Sequence, residues 1–116
     1  MQISADTHEQ TAELFKAVAD PTRVRILGLL LAAGELCVCE VETALDLSQS
    51  RTSRALSQLR RAGLVVDRRD GAWVHYSASK DRDPVVRGVL QGLRRTLADD
   101  PAALADLANL ERSSCR

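Results

Sequence analysis

Residues 36–63, LCVCEVETALDLSQSRTSRALSQLRRAG, combine a pair of thiols with a short basic helix, and they decide how the rest of the chain is interpreted. The first part of the stretch holds Cys37 and Cys39, one residue apart. Its second part, residues 49–62, holds four arginines and no acidic residue. Thiolates bind soft or thiophilic ions, and arginines on a helix can lie against a phosphate backbone. The stretch therefore predicts a soft-ion site coupled to a nucleic-acid-binding helix.

Two helices separated by a tight break are predicted inside this stretch, a helix pair at about 39–62. The first covers about 39–45. Ser48 is a good N-cap for the second, which runs over 49–62 and is ended by Gly63. Helical spacing turns Thr52, Ala55, Leu56 and Leu59 inward. The residues left outside are polar and basic, which is typical of a helix-turn-helix; they are Gln49, Ser50, Arg51, Ser53, Arg54, Ser57, Arg60 and Arg61.

A β-hairpin is predicted immediately after the helix pair, at about 64–78. Two strand-like runs, 64–69 and 72–78, flank Asp70-Gly71, the dipeptide that favours a type I′ turn. Arg68 and Arg69 stand close to the tip of the hairpin, which fits a wing lying along DNA. A simple surface hairpin is the alternative.

Further helices are predicted on both sides of this unit. Each proline, Pro21, Pro84 and Pro101, follows an aspartate. Asp at the N-cap accepts hydrogen bonds from the first turn, and the fixed φ of proline fits the next position. Helices should therefore begin near residues 21, 84 and 101, the first of them running to about residue 33 and stopped by Gly34. An earlier helix should begin after residue 6 or 7 with a capping box.

Apolar residues recur at helical spacing in these flanking helices. The helix from residue 21 is apolar nearly all round and should be the central buried helix. One small core cannot absorb every remaining stripe, so a helix-on-helix dimer seam is expected. The stripes are Thr11, Leu14, Phe15 and Val18 in the first helix, Val86, Val89, Leu90, Leu93 and Leu97 in the fifth, and Leu104, Leu107 and Leu110 in the last.

Composition bounds the class of protein. The 116 residues predict a single domain over 1–116, with C-terminal helices and a tail at about 84–116. The net charge of zero hides a basic block, because residues 51–95 carry eleven basic and four acidic residues. No apolar run approaches the ~20 residues needed to span a bilayer, and the N-terminus does not resemble a signal peptide. A cytoplasmic protein with no membrane partner and free thiols is expected.

The thiol pair carries the sharper chemical signal, since the histidines His8 and His75 are far apart and no catalytic grouping is visible. An enzyme is not expected. Residues i and i+2 of a regular helix point to nearly opposite sides. If both thiols hold one ion, residues 37–39 must be non-helical or must unwind. Cys115 is the remaining thiol in the chain, either a third ligand or an incidental tail cysteine.

The sequence resembles the ArsR/SmtB family of metal-responsive winged-helix repressors, and looks like its arsenic-sensing branch. The matching segments are ADPTRVRILGLL (19–30), GELCVCE (34–40), SQSRTSRALSQLRRAGLV (48–65) and RRDGAWVHY (68–76). The resemblance implies a mainly α fold with a β-hairpin wing, a dimeric winged helix-turn-helix whose first and fifth helices form the interface. It further implies an apo-form that binds a palindromic double-stranded operator and is released by As(III) or Sb(III), with no cofactor required for the fold.

Site residues carry over by position. Cys37 and Cys39 match the family's thiolate pair, and Arg68 and Arg69 match the wing. Gln49, Ser50, Ser53 and Arg54 match recognition-helix positions, beside which Arg51, Arg60 and Arg61 are predicted to contact DNA.

The chain departs from the family pattern in two places. Glu42 stands where many arsenic sensors of this type have a third cysteine, and no histidine follows His75. The third ligand is then Cys115 of either subunit, a small-molecule thiol, or absent, in which case methylarsenite or another organoarsenical would fit. Sensing of Cd or Pb and redox sensing through a disulfide are the alternatives on this fold. A thiol-dependent metal-handling or reductase protein is the alternative from another class.

Overall fold

The computed structural model describes residues 4–112, and side chains from residue 7 onward. Its elements are helices and three short strands that form one small sheet. They confirm the predicted mainly helical chain with a hairpin wing. In chain order they are α1 (Ser4–Val18), α2 (Pro21–Ala33), β1 (Leu36–Cys37), α3 (Val38–Leu45), α4 (Gln49–Arg61), β2 (Val65–Asp70), β3 (Trp73–Ala78), α5 (Pro84–Leu97) and α6 (Pro101–Glu111).

Aspartates cap three of the helices as the Asp-Pro pairs predict. The Asp20 carboxylate accepts a hydrogen bond from the Arg23 N–H at 3.0 Å, and Asp83 accepts one from the Val85 N–H at 2.8 Å. Asp100 does the same for α6. Each cap satisfies N–H groups that have no partner inside the helix. α1 is the exception among the starts, because it begins at Ser4, ahead of the predicted residue 6 or 7.

The core is built around α2, whose residues 26–31 are all buried. Gly34 ends this helix with φ +95°, a conformation that favours glycine. Leu14 and Ala17 of α1 pack onto the core from one side, and Val86 and Leu90 of α5 from another. The central position predicted for this helix is confirmed.

Phe15 belongs to the apolar stripe of α1, but its side chain faces away from the core. It is 51% exposed, whereas Ala17 is buried. The side of α1 that meets the core is centred on Leu14 and Ala17, and Phe15 is turned about 100° from Leu14 on the helix. Leu104 in the stripe of α6 is likewise 50% exposed, so the core of one chain does not absorb these two stripes in full.

The sheet has three antiparallel strands in the order β1–β3–β2, so β3 lies between the hairpin partner and the short strand before α3. Asp70 pairs with Trp73, which leaves Gly71 and Ala72 as the two-residue loop. The predicted turn is therefore wrong by one residue. Gly71 has φ +62°, and among the described residues Asp46 is the single non-glycine with positive φ. A glycine at the first loop position followed by a negative φ fits a type II′ turn, which also suits strand twist.

Candidate thiol site and nucleic-acid interface

Cys37 lies at the boundary between a strand and a helix. It is the last residue of β1 and the N-cap of α3, with extended φ −84° and ψ 165°. Cys39 is the second residue of α3 and is half-buried. In a regular helix the side chains of residues i and i+2 point to nearly opposite sides. This obstacle to binding one ion does not apply in full here, because Cys37 precedes the helix. An N-cap side chain folds back over the first turn, toward the N–H groups of the next residues.

A reciprocal capping box fixes the Cys37 side chain. The Cys37 sulfur accepts a hydrogen bond from the Glu40 backbone N–H, and the Glu40 carboxylate accepts one from the Cys37 N–H at 3.0 Å. Both residues are buried, at 5% exposure each. The box makes Glu40 a structural partner of the Cys37 thiol.

Burial raises the pKa of the Cys37 thiol above its ordinary value, and the neighbouring Glu40 carboxylate adds to the increase. The backbone N–H groups of Glu40 and Cys39 act in the opposite direction without cancelling it. The sulfur is therefore held in the protonated form near neutral pH.

The described residues do not complete a three-ligand site. No three His, Cys, Asp or Glu side chains among them are placed to hold a metal ion. Glu42, three residues after Cys39 on α3, is half-buried. Cys115, the predicted third ligand, lies outside the described residues.

α6 covers the helix that carries Cys39, and two polar contacts hold it there. The Asn109 side-chain amide donates to the Ala44 carbonyl of α3 at 3.4 Å. Arg25 of α2 binds Asp106 through both carboxylate oxygens, at 2.8 and 3.1 Å. The sequence did not predict this pair. The available signal for it was one acidic residue, Asp106, within the apolar stripe of the last helix.

The recognition helix α4 has the predicted inner face. Its buried residues are Thr52, Ala55, Leu56 and Leu59. The Ser48 hydroxyl caps the helix by accepting from the Arg51 N–H at 3.2 Å. Asp46, in a left-handed conformation with φ +55°, ends α3 and makes the break before α4. All of the predicted DNA contacts are solvent-exposed: Gln49, Ser50, Arg51, Ser53, Arg54, Arg60, Arg61, Arg68 and Arg69.

Arg23 positions α4 relative to the first two helices. Its guanidinium donates to the Ala17 carbonyl at 2.6 Å and to the Lys16 carbonyl at 3.1 Å, at the end of α1. It also donates to the Gln58 side-chain oxygen on α4 at 2.8 Å. The sequence did not single out this residue. The available signal was a pair of arginines, Arg23 and Arg25, near the start of an otherwise largely apolar helix.

The two wing arginines have different surroundings. Arg68 makes a bidentate salt bridge to Glu35, with N–O distances of 2.7 and 3.0 Å. Arg69 is its neighbour on β2 and points to the other face of the sheet, because successive strand residues alternate. The segment just before Cys37 is therefore tied to the wing through one arginine of the pair.

This chain is similar to known regulatory proteins. A family model described as "Bacterial regulatory protein, arsR family" matches residues 20–66. The arsenic resistance transcriptional regulator ArsR1 of Pseudomonas putida is 41% identical over 86% of this chain and 81% of its own length. The chain belongs to this family. The arsenical resistance operon repressor of Escherichia coli is 42% identical over 89% of this chain and 86% of its own.

Solved structures of other proteins share the fold. Reduced HlyU from Vibrio cholerae is 35% identical with a TM-score of 0.66, over 83% of this chain and 97% of that one. The transcriptional repressor PagR of Bacillus anthracis is 30% identical with a TM-score of 0.65, over 78% and 99%. The chain is accordingly a transcriptional repressor of the ArsR/SmtB family with a winged-helix fold, and not an enzyme. Within the described residues, no helix is both long enough and apolar enough to cross a bilayer.

Proposed function

We propose that this chain is a metalloid-responsive repressor whose homodimer binds a palindromic operator and is released by As(III) or Sb(III). The ion binds the thiolates of Cys37 and Cys39, with Cys115 as the third ligand. The observation that carries the proposal is the position of the thiol pair. It spans the N-terminal boundary of α3, the helix that leads directly into the recognition helix. The names of two relatives, an arsenic resistance regulator and an arsenical resistance repressor, support arsenic as the inducer.

The chemistry suits a protonated thiol. As each As–S bond forms, an As–O bond of arsenous acid breaks, and the thiol proton leaves with the hydroxide as water. No net proton release is required, so the raised pKa of Cys37 does not prevent binding. In this proposal, bringing both sulfurs to one arsenic displaces Cys37 from the capping box with Glu40, and the start of α3 changes as a result.

On the DNA side, we propose that the whole chain, residues 1–116, works as one winged helix-turn-helix domain. α4 enters the major groove, where its exposed polar side chains reach base edges and its arginines contact phosphates. The wing arginines contact the flanking backbone. An ion that binds the DNA-free form more tightly than the DNA-bound form must weaken DNA binding by the same factor. We expect a coupling free energy of ~1–3 kcal/mol. The proposed contacts are Gln49, Ser50, Arg51, Ser53, Arg54, Arg60, Arg61, Arg68 and Arg69.

The dimer proposed here uses α1 and α5. Phe15 on α1 is 51% exposed, and α5 buries only Val86 and Leu90 of its apolar stripe within the described part of the chain. Burial of these faces in a second copy would remove apolar surface from water. Sedimentation velocity of the parent and of Phe15→Glu tests this interface. We expect a dimer that the variant shifts toward monomer, and an unchanged dimer would rule out Phe15 as an interface residue.

The experiment that tests the function is operator binding by fluorescence anisotropy with reduced protein. The probe is a labelled duplex that the protein itself selects from a random library. Arsenite, antimonite, methylarsenite, cadmium, lead and zinc are titrated separately, and peroxide serves as the redox comparison. Arsenite should release the parent protein. Cys37→Ser and Cys39→Ser should still bind the duplex and resist release.

Three outcomes would contradict the proposal. A metalloid-free protein that binds no duplex at low salt is not a repressor of this kind. Arsenite release of both single cysteine variants would place the inducer site elsewhere. Release by peroxide and not by arsenite would favour a redox sensor that uses the same fold.

A further inference from the structure

The wing is part of the same sheet as the thiol segment. β1 pairs with β3, so that Leu36 lies opposite Tyr76 and Cys37 lies opposite His75. Across the hairpin, His75 lies opposite Arg68. Directly opposed residues of antiparallel strands have their side chains on the same face, with Cβ atoms about 4.5–5.5 Å apart. Cys37, His75 and Arg68 therefore form one row across the three strands.

Glu35, which lies two residues before Cys37, contacts Arg68 at the far end of this row. Its carboxylate binds the guanidinium of Arg68 in a bidentate geometry, at 2.7 and 3.0 Å. The pKa of Glu35 is lowered, first by the hydrogen bond from Arg68 and to a smaller extent by the charges of Arg68 and His75. The residues on either side of Leu36 are thus attached to the wing, one by backbone pairing and the other by an ion pair.

The contacts between this segment and the wing are few and weak. β1 has only two residues, so few backbone contacts hold it to β3. The Glu35 and Arg68 side chains are 38% and 55% exposed, and exposed ion pairs contribute little to the free energy of folding. A displacement of Cys37 toward an ion shared with Cys39 can therefore weaken the attachment of this segment to the wing, while the burial of Leu36 holds the segment to the core.

We propose that Glu35 is a positioning residue for the inducer response, which acts through Arg68 to couple the thiol pair to the wing. This rests on the proposed function, and it adds a second route to the one through α3 and α4. In the metalloid-free form, the Glu35–Arg68 bridge holds the wing against β1 in the orientation that binds DNA. Metalloid binding moves Cys37, weakens the β1–β3 pairing and the bridge, and releases the wing from the operator.

The test uses Glu35→Gln, which keeps the shape of the side chain and removes the charge that holds Arg68. Glu13→Gln is the matched control, since Glu13 is an exposed acid in a simple pair with Lys16 on α1, at 3.4 Å. For each protein, arsenite affinity is measured without DNA, and operator affinity is measured with and without arsenite. The parent should lose operator affinity by about 5- to 150-fold on binding arsenite.

In Glu35→Gln, the factor by which arsenite lowers operator affinity should itself be smaller than in the parent by about 2- to 30-fold. This is the range by which mutations along a coupled network change coupling. Its arsenite affinity without DNA should equal or exceed that of the parent, because the bridge that arsenite weakens is already absent. Glu13→Gln should match the parent in both measurements. A purely structural role would not separate arsenite affinity from release in this way. An unchanged factor in Glu35→Gln would overturn the inference and leave the proposed function intact.

Hydrogen exchange supplies a second measurement that needs no variant. In DNA-free protein, arsenite should speed amide exchange in residues 73–78, which form the strand shared by β1 and β2. Exchange of the buried α2 amides serves as the internal reference. Arsenite binding without a change in this strand would overturn the inference, whereas failure of arsenite to bind at all would overturn the proposed function instead.

Discussion

Cys37 lies directly opposite His75 in the antiparallel pair of β1 and β3, so the first thiol of the pair belongs to the same sheet as the wing. Cys37 is also the N-cap of α3, which leads into the recognition helix. One residue is thus connected to both elements proposed to bind DNA, to the wing through strand pairing and to α4 indirectly through α3. A small displacement of this residue can act on both elements together.

The third ligand is tested at Cys115. If its thiolate completes the proposed site, Cys115→Ser should bind arsenite more weakly than the parent, because one of three As–S bonds is lost. Methylarsenite, which forms only two such bonds, should bind both proteins alike. Competition with a fluorescent arsenical measures both affinities. Equal arsenite affinity in the two proteins would show that Cys115 is a bystander.

Glu42→Cys is the complementary gain of function. Glu42 follows Cys39 by three residues on α3 and shares its face of the helix. In the Cys115→Ser background, where the third As–S bond is missing, a thiol there should tighten arsenite binding by at least about tenfold, or about 1.4 kcal/mol. Ser57→Cys, which adds a thiol on α4 instead, is the control. A gain of equal size in the control would show that any added thiol suffices.

The raised pKa of Cys37 predicts slow alkylation near neutral pH. In the Cys39→Ser/Cys115→Ser background, the iodoacetamide rate should rise at a higher pH than that of glutathione measured alongside, since only the thiolate reacts. Glu40→Gln should move the profile to lower pH, because the Glu40 carboxylate contributes to the increase. A parental profile at or below that of glutathione would contradict the buried, protonated thiol.

The same shift has a consequence for stability. A folded-state pKa above the unfolded one means that the folded protein holds the Cys37 proton more tightly. This contribution to the free energy of unfolding is fully present below the unfolded pKa and is lost as the pH rises through the folded value. Alkaline pH should therefore destabilise the double-serine background more than the same background carrying Cys37→Ser.

Phosphate contacts by α4 are tested through salt dependence. Arg54→Ala should weaken operator binding and reduce the slope of log affinity against log salt by about 0.9, the value for one lost phosphate contact. Arg95→Ala makes the same charge change at an exposed position on α5 and should leave the slope unchanged. Equal slopes for Arg54→Ala and the parent would place Arg54 away from phosphates. Anisotropy titrations at several salt concentrations give the slopes.

The Arg25–Asp106 pair should anchor α6. The Asp106 side chain is 8% exposed and that of Arg25 is 45% exposed. Arg25→Met leaves a buried carboxylate without its partner and should lower the free energy of unfolding by about 1–3 kcal/mol. The half-exposed arginine favours the lower end of this range. Arg25→Met/Asp106→Leu should recover part of the loss in urea unfolding, and additive losses would show that the two residues act independently.

Local chemistry made the helices predictable. Asp20, Asp83 and Asp100 cap their helices as the Asp-Pro pairs indicate, and Ser48 caps α4. The inner face of α4 follows directly from helical spacing. These features depend on residues within one helical turn of each other, so a linear sequence contains them completely.

The turn of the wing was predicted wrongly, and the exposure of Phe15 was not predictable, because both depend on neighbours in space. Which residues form a hairpin loop is fixed by strand register, and Asp70 proved to pair with Trp73. Which side of α1 is buried is fixed by where α2 and α4 meet it. Spacing showed an apolar side but could not show which part of it the core would take.

By itself the sequence determined the order of the helices and the hairpin, the capped starts of α2, α4, α5 and α6, the basic face of α4 and the thiol pair beside it, since each depends on residues close together in the chain. Only the tertiary structure decided that Cys37 belongs to the wing's sheet, that Glu35 holds Arg68, and that Arg25 binds Asp106. The last two pairs are 33 and 81 residues apart. No local periodicity or cap specifies such partners. They exist because strand pairing brings Glu35 near Arg68 and helix packing brings Arg25 near Asp106, so that opposite charges meet.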